Sequence, residues 1–264
     1  MPELPEVERA RTVIADHALG RMIVAVDDTD TWVCRPHGPG EIAVALVGRT
    51  IEQAHRRGKS MWCELSGEGP VLGLHLGMSG RIIVDGVSGG DPQPRSRGPA
   101  DSPWTRFSIR FADGGELALF DKRRLGRVVL DPAIDRLGPD ALDITRAEFR
   151  SRIGSSNAPL KARLLDQHAI AGVGNLLADQ TLWLARQAPA RPASELTVEE
   201  LDELRRVLRR ATRAAMQHGG VHTGSFIRHR KPDRHCPRCH APLARDTVGG
   251  RTTWYCTAEQ AWPR

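Results

Sequence analysis

The second residue of the chain is a proline, which becomes a secondary amine at the N-terminus if Met1 is removed. An α-amino group titrates near pH ~8, so much of it is neutral and nucleophilic at neutral pH. Such an amine attacks an aldehyde-like carbon to give an iminium (Schiff base), as catalytic lysines do. Glu3 and Glu6 place carboxylates nearby for proton transfer. Taken alone, however, these residues are more typical of an ordinary helix start, where proline and acidic side chains are common.

A second group with chemical potential lies near the end of the chain. Cys236 and Cys239 form a CxxC motif, and Cys256 follows. With no signal-like segment at the N-terminus, we expect a reducing, cytoplasmic location, where a CxxC motif indicates a metal site rather than a disulfide. Cys63 lies in an apolar strand-like run and is predicted to be a buried thiol.

The charge of the chain is distributed unevenly. The net charge is +6, yet residues 201–264 carry 13 basic and 5 acidic side chains. This asymmetry is compatible with a polyanionic partner and equally with a solvated basic surface. The 40% hydrophobic content excludes wholesale disorder. No stretch approaches the ~18 consecutive apolar residues of a membrane span, which excludes an integral helical membrane protein.

The first half of the chain must position the N-terminal groups. Residues 3–19 show helical spacing of apolar residues, and Gly20 follows as a stop. From residue 22 to residue 130, short strand-like runs alternate with Gly, Pro and Asp, which is typical of a sandwich or barrel. Asp113-Gly114-Gly115 predicts a hairpin turn. Residues 85–104, with four Gly and four Pro, are predicted to be a mobile loop.

The second half is predicted to be helical after Pro132. Helices are expected over 160–168 and 175–186, joined by a tight glycine turn. Thr197 and Glu200 form a capping box that opens a third helix. One face of that helix is apolar, and much of the rest carries Arg205, Arg206, Arg209, Arg210 and Arg213. From Arg234 onwards, the chain is predicted to form a small metal-stapled hairpin.

A set of short blocks spans nearly the whole chain. They are MPELPEVE (1–8), RRGK (56–59), HLGMSGR (75–81), DKRRLG (121–126), PLK (159–161) with LLDQ (164–167), AGVGN (171–175) with ADQTLW (178–183), and GRTTWYC (250–256). Each block is weak evidence, but the ordered set is specific. It resembles the formamidopyrimidine-DNA glycosylase and endonuclease VIII family of base-excision repair enzymes.

This resemblance implies an α+β fold with three parts. Residues 1–131 would form a catalytic domain, with an N-terminal helix and a two-layered β-sandwich. Residues 132–224 would form a helical DNA-binding domain with a helix–two-turn–helix, and residues 225–264 a zinc-finger-like β-hairpin. The implied activity is that of a bifunctional DNA glycosylase and AP lyase, monomeric, acting on damaged double-stranded DNA at the bacterial nucleoid.

The resemblance also assigns catalytic roles. Pro2 would attack C1′ of a damaged nucleotide, displace the base and hold the sugar as a Schiff base. Glu3 would be the general acid and base at the sugar ring, with Glu6 as a nearby carboxylate. Lys59, expected at a strand start, would grip the phosphate beside the lesion. An amine, a proton shuttle and a cationic clamp are what base expulsion and β-elimination require.

Other residues would contact the duplex. A nucleotide that leaves the stack leaves a gap to be filled, and the implied residues are Met78, Arg124 and Leu125. Leu125 stands where the family has Phe, which puts the preference for the opposite base in doubt; core packing is the alternative for Met78. Phosphate contacts are implied for Lys161, for Asn175 at a helix N-terminus with free amides, and for Arg251 at the hairpin tip. Gln180 replaces a family Glu, a change interpreted as structural.

The implied cofactor is a structural zinc ion. Cys236, Cys239 and Cys256 have the family spacing, but Glu259 stands where the fourth Cys is expected. Zinc accepts carboxylate oxygen, so Glu259 is a candidate ligand. His235 and His240 are alternatives, and a metal-free hairpin held by Trp254 and Tyr255 is a third possibility.

The lesion is left open by two conflicting features. Only 15 residues separate Gly220 from Cys236, which favours an oxidised-pyrimidine or broader pocket, whereas the N-terminus resembles the oxidised-guanine branch. A catalytically silent paralogue that binds damaged DNA is the alternative function, and a zinc-finger nucleic-acid module without a repair role is a weaker one. The presence of Pro2, Glu3 and Lys59 favours the enzyme.

Overall fold

The computed structural model describes residues 2–90 and 103–262. These divide into two compact units: one contains Pro2 and residues 6–134, and the other contains residues 3–5 and 135–262. The order of helices and strands is α1 (Leu4–His17), β1 (Ile23–Asp27), α2 (Glu41–Leu46), β2 (Ile51–Arg57), β3 (Ser60–Leu65), β4 (Leu72–His75), β5 (Arg81–Val84), β6 (Val87–Gly90), β7 (Thr105–Phe111), β8 (Glu116–Phe120), β9 (Arg127–Leu130), α3 (Arg146–Gly154), α4 (Leu160–Leu165), α5 (Asn175–Leu184), α6 (Val198–Gln217), β10 (Leu243–Val248) and β11 (Arg251–Cys256). None of the helices formed by the described residues is both long and apolar enough to cross a bilayer.

The first unit contains two antiparallel sheets. One has the strand order β1-β7-β8-β5-β6 and the other β2-β3-β4-β9. Alternate residues of both sheets enter one hydrophobic core, for example Phe107 and Leu119 from one sheet and Met61 and Leu74 from the other. This is the expected two-layered sandwich, and the predicted helix at residues 3–19 and the hairpin around residues 113–115 are both present.

The glycine-rich segment was predicted to be a loop, and this is wrong for its beginning. Residues 87–90 form β6, paired with β5; residues 91–102 lie outside the described part of the chain. Glycine is needed here because a Cβ at Gly89 would lie 2.6 Å from the carbonyl oxygen of Arg9 on α1. The glycines that indicated a loop therefore allow close contact between strand and helix.

The second unit is helical apart from the hairpin β10–β11. The predicted capping box opens α6, where the Glu200 amide donates to the Thr197 hydroxyl and Glu200 accepts from the Thr197 amide. The helix predicted over 160–168 ends earlier, at Leu165. Two hydrophobic clusters fill this unit. The larger joins Leu4 to α3–α6, and the smaller joins Trp183, Phe226 and Trp254 with Cys236 and Cys256.

Candidate active site and nucleic-acid interface

Glu3 is bound to the first turn of α5. Its side chain is 1% exposed, and the carboxylate accepts hydrogen bonds from the amides of Gly174, Leu176 and Leu177 at 3.0, 2.8 and 3.0 Å. The amide of Leu4 also donates to the carbonyl of Gly172 at 3.1 Å. The three amides and the positive end of the helix dipole stabilise an ionised carboxylate. The residue next to Pro2 is thereby fixed in position.

The glycine turn before α5 makes room for this carboxylate. Gly172 has φ +108°, a conformation that favours glycine. Gly174 has an ordinary extended backbone, but a Cβ there would lie 2.3 Å from Cδ of Glu3. Asn175 begins α5, as expected. The first-turn amides of α5 were expected to be free for a phosphate, but those of Leu176 and Leu177 donate to Glu3.

The other candidates near the N-terminus lie in the first unit. Pro2 and Glu6 are both buried. Lys59 lies in the two-residue turn between β2 and β3, one residue before the strand start at which it was expected, and is partly buried. Glu8 accepts from Arg56 of the RRGK block at 2.7 Å, and so fixes the strand that leads into this turn.

His75 is a functional candidate that sequence reasoning did not single out. Burial lowers its pKa, and the charges of Lys59 and Arg127 lower it further. Its Nδ1 accepts the amide proton of Gly77 at 3.0 Å. His75 borders a cavity of about 380 Å³. The cavity is lined by Ser60, Met61, Gly73, Leu74, His75, Leu125, Arg127, Val129 and Pro132. A neutral imidazole beside two cations offers an N–H donor to an anion.

Met78, Arg124 and Leu125 lie on two adjacent loops of the first unit. Met78 is 38% exposed, Leu125 is 43% exposed, and the Arg124 side chain is 46% exposed. The loops are in contact, since a Cβ at Gly77 would lie 2.3 Å from the carbonyl carbon of Leu125. Met78 is therefore outside the hydrophobic core, and the three side chains form an exposed rim suited to insertion into a stack of bases.

Asp121 organises this rim, a role not apparent from the sequence. It is fully buried, and its carboxylate accepts from the amides of Arg123, Leu125 and Gly126 at 3.0, 2.7 and 2.6 Å. The hydroxyl of Ser79, on the other loop, donates to the same carboxylate at 3.4 Å. One side chain therefore connects both loops.

Lys161, for which the resemblance implied a phosphate contact, is enclosed by other residues of the second unit. It is 0% exposed. Its ammonium contacts Asp179 Oδ1 at 2.7 Å, Thr253 Oγ1 at 2.7 Å and the Thr252 carbonyl at 3.1 Å. Burial lowers the pKa of Lys161 and raises that of Asp179, while their mutual attraction opposes both shifts. Asp179 also pairs with Arg230 at 2.8 Å. Lys161 thus anchors β11 to the helices.

Asn175 and Arg251 belong to the same part of the second unit. The Asn175 amide donates to the Thr252 carbonyl at 3.1 Å. Arg251 is exposed and follows the turn Gly249-Gly250, both with positive φ. A Cβ at Gly249 would lie 2.8 Å from Cβ of Ala162. The hairpin tip therefore rests on α4 and presents Arg251 to solvent.

The predicted metal ligands form one cluster. The ligand atoms of Cys236, Cys239, Cys256 and Glu259 all lie within 4.8 Å of one another. The sulfurs of Cys239 and Cys256 are 3.4 Å apart, and Cys236 Sγ is 3.7 Å from Glu259 Oε2. A tetrahedral zinc ion with ligands at ~2.0–2.3 Å requires spacings of about 3.3–3.8 Å. These residues fit a metal ion, and neither His235 nor His240 is part of the cluster.

The cluster is held by neighbouring side chains. Arg238 donates from Nε to both carboxylate oxygens of Glu259, at 2.9 and 2.7 Å, and its hydrogen bond lowers the pKa of Glu259. The Trp183 indole donates to Cys236 Sγ at 3.2 Å. Glu259 is therefore ionised and oriented towards the sulfurs.

Gln180 has the structural role expected for it. Its carbonyl accepts the Phe226 amide at 3.0 Å, and its amide donates to the Ser225 hydroxyl at 3.2 Å. These bonds fix the middle of the short segment that precedes Cys236. The segment contains two single-turn helices, Val221–Thr223 and Ile227–His229.

Two family models match successive parts of the chain. Residues 1–128 match the formamidopyrimidine-DNA glycosylase N-terminal domain, and residues 137–226 match the formamidopyrimidine-DNA glycosylase H2TH domain. The chain belongs to the formamidopyrimidine-DNA glycosylase family. It is 34% identical to the formamidopyrimidine-DNA glycosylase of Chloroflexus aurantiacus, over 97% of this chain and 96% of the relative. It is also 34% identical to that of Nocardioides, over 100% and 96%.

Solved structures of formamidopyrimidine-DNA glycosylases share the whole fold. The Lactococcus lactis enzyme bound non-covalently to DNA with an AP site has a TM-score of 0.83 and 27% identity, covering 98% of this chain and 100% of that one. MutM in complex with DNA containing carbocyclic 8-oxo-G has a TM-score of 0.83 and 26% identity, covering 99% and 100%. The predicted family, fold and DNA glycosylase activity in base-excision repair are confirmed, and these relatives give no support to a silent paralogue.

Proposed function

We propose that this protein excises oxidised bases from double-stranded DNA and then nicks the strand as an AP lyase, with the amine of Pro2 as the nucleophile. The observation that carries this is the fixation of Glu3 by the amide of Gly174 and two amides of the first turn of α5. Because Glu3 is bonded directly to Pro2, fixing Glu3 restricts where the terminal amine can lie. Family membership supplies the reaction class.

The amine lone pair would form a bond to C1′ while the glycosidic bond breaks. The departing base takes the electron pair and is protonated. Opening of the sugar ring and loss of the amine proton give the iminium, and removal of a C2′ proton then expels the 3′ phosphate. Glu3 would exchange protons at the sugar ring, and its carboxylate would stabilise the developing cation. Glu6 is a second buried carboxylate for proton transfer.

Contacts to DNA would come from three groups of residues. Lys59, with His75, would bind phosphate beside the lesion. Met78, Arg124 and Leu125 would fill the gap left by the extruded nucleotide. Arg251 and Asn175 would hold the flanking backbone, whereas Lys161 would act indirectly by anchoring β11. Catalysis and the contacts to DNA would thus be shared by three parts of the chain, residues 1–131, 132–224 and 225–264.

The cysteine cluster would hold a structural zinc ion, with Glu259 as the fourth ligand. The spacing of the four ligand atoms and the orientation of Glu259 by Arg238 support this set. The ion would stabilise the hairpin that carries Arg251 and take no part in the reaction. We also propose that the protein acts at the bacterial nucleoid. Formamidopyrimidine and 8-oxoguanine lesions, in the light of the relatives, are the first substrates to examine.

Borohydride trapping on abasic-site duplex tests the nucleophile. Reduction of the iminium should give a covalent adduct, and peptide mapping should locate the DNA on the N-terminal peptide. Pro2→Gly, which replaces the secondary amine by a primary one, should trap far less while binding the duplex normally; Pro5→Gly is the matched control. An adduct on an internal lysine, or no adduct with the wild type, would contradict the proposal.

A further inference from the structure

The Arg124 side chain is held at one point, by Asp30. Its Nη2 donates to Asp30 Oδ1 at 2.7 Å. Among the described residues, this is the one hydrogen bond of the Arg124 guanidinium. Both residues belong to the first unit, although they are 94 positions apart in the chain. The contact is therefore a product of the fold rather than of local sequence.

Asp30 is itself fixed and is only 11% exposed. The same Oδ1 accepts from the amides of Trp32 and Val33 at 3.2 and 3.1 Å, and Arg106 lies 3.8 Å from Oδ2. Burial raises the pKa of Asp30, but the hydrogen bonds from Arg124 and Val33, together with the charges of Arg124 and Arg106, leave the pKa lowered. The acceptor is thus an anchored carboxylate, not a mobile surface group.

The backbone of Arg124 is fixed on both sides. Arg124 has φ +53°, which is unfavourable for a residue with a side chain. The amides of Arg123 and Leu125 are bound by Asp121, which holds this conformation. The remaining freedom of Arg124 lies in its long side chain, and the Asp30 contact restricts it. A guanidinium has five N–H donors, so the contact leaves four for another partner.

We propose that Asp30 is a positioning residue that presents the free donors of Arg124 to the unpaired base opposite the lesion, and so sets the preference for that base. This rests on the proposed function, in which Arg124 enters the gap in the duplex. Two parallel N–H donors match two adjacent acceptors, which N3 and O2 of an unpaired cytosine provide. Adenine, guanine and thymine do not have two neighbouring acceptors on their Watson–Crick edge. Fixing the side chain in advance reduces the ordering cost of that contact.

The test measures the affinity for DNA rather than the rate of catalysis, so it does not depend on turnover. Anisotropy would measure Kd for duplexes with tetrahydrofuran, an uncleavable abasic analogue, opposite C, A, G or T. The wild type should prefer cytosine. Asp30→Asn retains an oxygen acceptor for the Trp32 and Val33 amides and removes the charge; it should reduce the preference by about fivefold, the lower end for a bidentate base contact. Arg124→Ala should remove the preference, and the double variant should match Arg124→Ala.

Asp113→Asn is the matched control, because Asp113 pairs with Arg21 at 2.7 Å elsewhere in the first unit. This variant should leave the preference for the opposite base unchanged. A wild type without preference, a uniform loss of affinity for all four duplexes in Asp30→Asn, or additive effects in the double variant would overturn the proposal. Borohydride trapping on the same proteins reports the proposed function separately, so failure of one is distinguishable from failure of the other.

Discussion

Gly174 donates its amide proton to Glu3 at 3.0 Å, and its α-carbon faces the same carboxylate so closely that a Cβ would lie 2.3 Å from Cδ of Glu3. The absence of a side chain at position 174 is therefore a condition for the position of Glu3. The residue that this glycine accommodates is the one that directly follows the proposed nucleophile in the chain.

Gly174→Ala should accordingly displace Glu3 and lower trapping and nicking by about 100-fold, as expected for a misplacement of ~1 Å. The destabilisation should remain about 1–3 kcal/mol, typical of overpacking. Single-turnover nicking and urea unfolding measure the two effects. Gly38→Ala is the control, because its Cβ would meet Glu41 at an ordinary 3.6 Å. Normal nicking by Gly174→Ala would show that Glu3 is not needed in this place.

Lys161→Ala should be strongly destabilising, because it leaves Asp179 buried without its ammonium partner. Breaking such a buried pair costs about 3–5 kcal/mol, measured as the free energy of unfolding in urea. Lys231→Ala removes an exposed lysine and should cost less than ~0.5 kcal/mol. Equal, small effects of the two substitutions would mean that Lys161 is not the anchor of β11. A weaker salt dependence of DNA binding without a loss of stability would instead indicate a direct phosphate contact.

Glu259→Ala should reduce the zinc content of the purified protein, and Glu259→Cys should restore it, because thiolate and carboxylate both ligate zinc. Metal analysis and the thermal midpoint, with and without a chelator, give the readout. His240→Ala removes a potential ligand next to Cys239 and should retain zinc. Zinc content unchanged in Glu259→Ala would exclude Glu259 from the coordination shell, and zinc absent from the wild type would favour the metal-free hairpin.

Stability should depend on pH through His75. Burial, followed by the charges of Lys59 and Arg127, lowers its pKa in the folded state, so the unfolded chain takes up the proton first as pH falls. The free energy of unfolding should thus decrease as pH drops below the unfolded value of about 6.5. In His75→Gln, the decrease between pH 6.5 and 5 should be smaller than in the wild type. Identical pH profiles for the two proteins would contradict this.

Hydrophobic periodicity predicted a strand-rich first half and the helices α1, α4, α5 and α6, but close approaches of backbone could not be predicted from it. Gly89 shows why. The sequence does not distinguish a glycine needed for a loop from a glycine needed for close packing against a helix, and here only the proximity of Arg9 in the fold reveals the second role. The short helix α2 was also missed, because its N-cap, Gly40, offers no side-chain cap.

From the sequence, candidate site residues could be proposed where one residue or a short motif carries the signal, as with Pro2 and the cysteine cluster. This was not possible where a partner is distant in the chain. Lys161 has the charge of a phosphate ligand, but its ammonium donates a hydrogen bond to the hydroxyl of Thr253, 92 positions later. Asp121 and Asp30 likewise act through loops that only the fold brings together.

The hairpin β10–β11 is fastened at two places: at its base by the cysteine cluster with Glu259, and near its tip by Lys161 and by the contact between Gly249 and Ala162. Redundant attachment makes a structure tolerant of change at either end. Replacement of one proposed sulfur ligand by an oxygen at the base should leave Arg251 in place, because the tip retains its own support. The proposed ligand set, with Glu259 beside three cysteines, is therefore compatible with an unchanged surface at the hairpin tip.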